Sequence, residues 1–68
     1  MSTKSFTVIY RTGGTERFTW RRVFDSYRHY EDAKVIALDL ERQGYPALIH
    51  PTRLLDAIGL PSTYEASL

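Results

Sequence analysis

Large apolar side chains alternate with polar ones at Phe6, Val8 and Tyr10, within a segment rich in β-branched and aromatic residues. That period of two predicts a strand over residues 6–12. Gly13-Gly14 supplies the positive φ angles of a hairpin turn, and the alternation resumes at Phe18 and Trp20, predicting a second strand over 17–22. Residues 25–29 read as a polar link. From Tyr30 the period becomes helical, with Tyr30, Ala33, Ile36, Ala37 and Leu40 on one stripe. Glu31 and Asp32 suit the positive end of a helix dipole, Arg42 suits the negative end, and Gly44 caps. The helix is therefore expected over about residues 30–43. A third strand follows over 45–50, with Ala47 and Ile49 on one face and Leu48 and His50 on the other, ended by Pro51. Thr52 is expected to cap a short helical turn over 53–58 that Gly59 closes. Residues 61–68 read as a tail, ordered where Leu60 or Tyr64 docks on the body.

The hairpin register decides which residues look outward. A two-residue Gly13-Gly14 turn opposes Ile9 to Phe18 and Thr7 to Trp20, which splits the large side chains between faces. A three-residue loop ending in a left-handed Gly14 opposes Val8 to Phe18 and Phe6 to Trp20, which gathers all five on one face. Burial favours the second, because a slip of one residue moves a strand's apolar set across the sheet. On that reading the helix covers Phe6, Val8, Tyr10, Phe18 and Trp20, and Thr7, Ile9, Arg11, Arg17, Thr19 and Arg21 face water.

These elements define one α+β domain over residues 1–68, a small ββαβ arrangement with a short C-terminal helical turn. At 68 residues with 43% hydrophobic content the chain has a modest core, and without cysteine it has no disulfide or thiolate metal site to reinforce it. No secretory signal and no apolar run of membrane-spanning length is visible, so a cytoplasmic setting is expected.

The net charge of +1 is unevenly spread. Residues 1–30 hold six basic side chains against two acidic ones, and residues 31–68 hold three against six. Arg11, Arg17 and Arg21 on the outward hairpin face form a candidate contact for an acidic partner or for phosphates. The aromatic residues that would stack on bases lie on the other face, which favours a protein partner over nucleic acid. Val35 and Leu38 project away from the helix's apolar stripe, on the same outer side as Glu31 and Arg42, and suggest a homodimer or partner contact unless Leu54, Leu55 and Ile58 fold over them. Catalysis is not expected: the two histidines lie on different elements, and no nucleophile–base pattern, paired carboxylates or phosphate-binding loop is present. His29 and Asp32 offer two ligands where a zinc site takes three or four, so no metal or cofactor is expected.

Phe24, Ala33, Leu40, Gly44-Tyr45 and Ile49 resemble half of a SPOR-type peptidoglycan-binding repeat. The second half-repeat is missing and no function is carried over. Tyr10-Arg11-Thr12-Gly13-Gly14-Thr15, Phe18-x-Trp20, Gly44-Tyr45-Pro46-Ala47 and Ile58-Gly59-Leu60-Pro61 resemble small proteins encoded by bacteriophages and prophages, over most of the chain. This likeness implies a phage setting and transfers no functional residues. The expectation is a non-catalytic phage-type binding protein that engages or inhibits a bacterial host protein, such as a defence factor. The alternatives are a small nucleic-acid-binding protein with a basic sheet face and a minor virion component.

Overall fold

The computed structural model describes residues 5–14 and 16–62. The elements run β1 (Phe6–Thr12), β2 (Thr19–Tyr27), α1 (Tyr30–Arg42), β3 (Ala47–Pro51) and α2 (Thr52–Ile58). The α+β class and the element order agree with the sequence pattern. β1 is the middle strand of an antiparallel sheet ordered β2-β1-β3. β2 and β3 therefore run parallel to each other on either side of β1, and α1 is the crossover between them. Such a crossover must pass over one face of the sheet, which places α1 above β1 and β3.

The hairpin register differs from the expected one. Thr12 opposes Thr19, Arg11 opposes Trp20, Tyr10 opposes Arg21 and Ile9 opposes Arg22. The connection thus spans residues 13–18, longer than either turn considered above. β2 continues through the segment expected to be a polar link, and its far end pairs Thr7 with Ser26 and Phe6 with Tyr27. Between these two stretches Val8 alone faces residues 23–25, a bulge that keeps the alternation of faces because it adds two residues to one strand.

Trp20 and Val8 consequently lie on opposite faces, so the single apolar underside does not exist. Val8 packs with Ala33 and Ala37 of α1, flanked by Phe6, Val23, Ile36, Leu40, Ala47 and Ile49. Ile9 packs with Trp20 and with Leu55 of α2, flanked by Phe18 and Leu48. The physical reason is that α2 lies under β1 and β3 and supplies a second cover, so both faces of β1 are buried. Thr7, Val8 and Ile9 are each 0% exposed in succession. Fully burying a side chain such as Val8 or Ile9 is worth roughly 1.5–3 kcal/mol. The buried Thr7 hydroxyl is satisfied at Thr52, with the two Oγ1 atoms 2.6 Å apart. Thr52 is therefore the first residue of α2 rather than its side-chain cap.

α1 ends as its sequence dictates. Gly44, at φ +96°, donates to the Glu41 carbonyl and Tyr45 donates to that of Leu40, both at 3.0 Å. This is a Schellman closure that satisfies two terminal carbonyls. Of the expected tail, Pro61 and Ser62 are described and residues 63–68 lie outside the described residues.

Candidate protein-docking surfaces

The three arginines singled out in the hairpin are dispersed by the register. Arg11 opposes Trp20 on the α2 side, with its guanidinium 5.6 Å from the Trp20 ring centroid. Arg21 opposes Tyr10 on the α1 side, and Arg17 sits exposed in the connecting loop. The shared basic face expected for Arg11, Arg17 and Arg21 is thus corrected. Residues 11 and 21 point to opposite sides of the sheet, because Tyr10 opposes Arg21 while Arg11 opposes Trp20.

Val35 and Leu38 do lie on the outside of α1, 62% and 46% exposed, and α2 packs on the far side of the sheet and does not cover them. With Asp39 and Arg42 they line a shallow depression along the helix.

Missed by the sequence reading is a groove between β2 and α1. Its floor is Tyr10, Val23, Ile36 and Leu40, with Arg21 on one rim and Asp39 on the other. Gln43 holds the Asp39 carboxylate through an Nε2–Oδ2 hydrogen bond of 3.1 Å. At the mouth stands Phe24, which is 100% exposed. The groove exists because α1 favours the β1–β3 half of the sheet and leaves β2 partly uncovered. The signal available in the sequence was Val23-Phe24, an apolar pair between the strand expected over 17–22 and the link expected over 25–29.

Among the described residues β2 is an edge strand with no strand on its outer side. Arg11 N–H donates to the Pro46 carbonyl and Thr52 N–H to that of Ser5, each at 3.0 Å, so odd-numbered β1 residues bond towards β3. Even-numbered ones then bond towards β2, which uses the inward groups of Thr19 and Arg21. By the same alternation the backbone groups of Arg22 lie on the side of β2 away from β1, where an added strand would pair.

On the α2 side, Arg22 Nη1 meets Asp56 Oδ1 at 2.8 Å, with the two side chains 38% and 60% exposed. A solvent-screened pair of this kind ties β2 to α2 weakly. Arg22→Ala is expected to lower unfolding free energy by less than about 1 kcal/mol in urea titration.

Among the described residues no three His, Cys, Asp or Glu side chains gather as metal ligands. His29 is exposed at the start of α1, whereas His50 is 4% exposed in β3 with its Nδ1 lacking a hydrogen-bond partner. No helix is long and apolar enough to cross a membrane among the described residues. Comparison with protein-family models, with curated proteins and with solved structures finds no match. The fold is a small α+β domain whose three-stranded antiparallel sheet carries a helix on each face and has β2 and β3 as its edge strands.

Proposed function

We propose that this chain is a non-catalytic binding protein of phage type that engages a bacterial host protein through the open edge of β2. The observation that carries the reading is Phe24, fully exposed on the outer strand β2 at the mouth of a groove lined by both polar and apolar side chains. A phenylalanine in water gives up the burial energy that a partner would return, and aromatic anchors of this type dominate protein interfaces. The occupant is an extended segment of the host protein that adds to β2 as a strand. It places an apolar side chain against Phe24 and an acidic one beside Arg21. Main-chain bonds then supply affinity, and the groove supplies specificity.

The reading is tested by capturing partners from a bacterial lysate, then titrating the purified partner against wild type and Phe24→Asp. Loss of a central aromatic anchor is expected to weaken binding by roughly 30-fold or more, with the far-UV circular dichroism unchanged. Arg21→Glu should weaken it further at low salt than at high salt, because Arg21 steers an acidic segment. Equal affinity of wild type and Phe24→Asp would remove this edge from consideration. Retention of nucleic acid alone, with log affinity falling steeply against log salt, would point to phosphate contacts instead.

A further inference from the structure

The outer side of α1 carries a pattern that the groove does not use. At about 100° per residue, Glu31, Val35, Leu38 and Arg42 fall within a stripe about 60° wide, diametrically opposite the buried Ala33 and the core-facing Leu40. The order along that stripe is acid, apolar, apolar, base. Glu31 and Arg42 are equidistant from the midpoint between Ile36 and Ala37, and so are Val35 and Leu38. A helix with this arrangement is its own complement when laid antiparallel on a copy of itself.

We propose that the chain forms a two-fold homodimer in which α1 packs antiparallel on α1 of a second copy. Val35 then meets the partner's Leu38, and Leu38 the partner's Val35, at the centre of the contact. Glu31 faces the partner's Arg42 at each end. Lys34 and Glu41 share one shoulder of the stripe, so Lys34 approaches the partner's Glu41 there. Asp32 and Asp39 occupy the other shoulder at the same offsets, about 90° and 70° from the seam, so the partner's Asp39 approaches Asp32 there. This repulsion and the Lys34–Glu41 attraction oppose each other, both screened by water, and the seam residues decide the arrangement. A two-fold axis requires every contact to occur twice, so the stripe's charge order is tested against itself. A parallel arrangement would instead set Glu31 on Glu31 and Arg42 on Arg42.

Three observations support a second copy as the occupant. Val35 and Leu38 are 62% and 46% exposed and adjoin each other in one depression. Glu31 and Arg42 are exposed and form no ion pair within the chain among the described residues. Their charges match those that a two-fold copy presents. α1 has 13 residues, about 20 Å at 1.5 Å per residue, so one helix pair makes a small interface and a reversible, micromolar-range dimer. None of Glu31, Val35, Leu38 and Arg42 lines the β2 groove, although the depression beside them shares Ile36 and Asp39 with it, so the dimer and the host-protein reading are tested by different variants.

Sedimentation equilibrium of the full chain across the micromolar to millimolar range tests it. Wild-type mass is expected to climb from one chain towards two, and Leu38→Glu should hold it at one. Glu31→Arg alone sets Arg against Arg, and Arg42→Glu alone sets Glu against Glu. Each turns two attractions into two repulsions and should weaken dimerisation roughly tenfold. The double variant Glu31→Arg/Arg42→Glu restores both pairs and should return affinity to within about threefold of wild type. Both substitutions oppose the helix dipole, so the double variant carries the larger penalty to the helix itself and its recovery cannot come from helix stability. A wild-type mass of one chain throughout, or a double variant no better than the singles, would overturn the proposal.

Discussion

Trp20→Ala is expected to destabilise the protein by about 3–5 kcal/mol, the range for emptying a large aromatic site in a packed core. Trp20 is 5% exposed and fills the layer between Ile9, Leu48 and Leu55, with Phe18 beside it and the Arg11 guanidinium over its ring. Small domains hold only about 5–15 kcal/mol in total, so this single truncation removes much of the available stability. The matched control is Phe24→Ala, four residues further along the same strand. Its side chain is 100% exposed, and its removal should change stability by less than about 0.5 kcal/mol. Urea unfolding followed by far-UV circular dichroism reads both variants, since Trp20 is the only tryptophan and its fluorescence disappears with it. Equal effects of the two would contradict the register of β2.

Gly13→Ala is expected to disrupt the hairpin connection more than Gly14→Ala. Both glycines have positive φ, +90° and +74°, and an alanine at either carries the left-handed cost of about 1–2 kcal/mol. At Gly14 the added methyl meets nothing, so the cost stops there. At Gly13 it would collide with the carbonyl oxygen of Arg17, across the loop that returns the chain to β2. Backbone cannot rotate away as a flexible side chain can, so the loop must open. Thermal melts should therefore rank wild type above Gly14→Ala and Gly14→Ala above Gly13→Ala. The reverse order would mean that the loop does not close on Gly13.

Much of this architecture is legible in the residues themselves. The alternation at Phe6, Val8 and Tyr10, the helical stripe from Ala33 to Leu40, and Gly44 with Pro46 mark β1, α1 and the end of α1 by their local chemistry alone. The opposition of Ala47 and Ile49 to Leu48 and His50 marks β3 in the same way. Register is different, because it is set by what covers each face, and that cover comes from elsewhere in the chain. Counting only α1 as cover made one apolar underside the natural choice and left Ile9 facing water. Ile9, Leu48 and Leu55 together are the sign of a second cover, and α2 provides it. The dispersal of Arg11, Arg17 and Arg21 follows from the same omission. Val35 and Leu38 were legible as outward because a 13-residue helix packed on one sheet leaves its far side open. The β2–α1 groove was not, since it depends on α1 sitting off-centre over the sheet, which no local pattern encodes.

The place of β1 also shapes how the molecule comes into being. Translation delivers this innermost strand ahead of everything that will shelter it: β2 flanks it soon, but β3 and α2 emerge much later. Until then Ile9 lacks the cover that Leu48 and Leu55 give it in the folded molecule. Pairing on both sides of β1 and burial of both its faces are therefore completed only once the last element of the sheet and its second cover are in place.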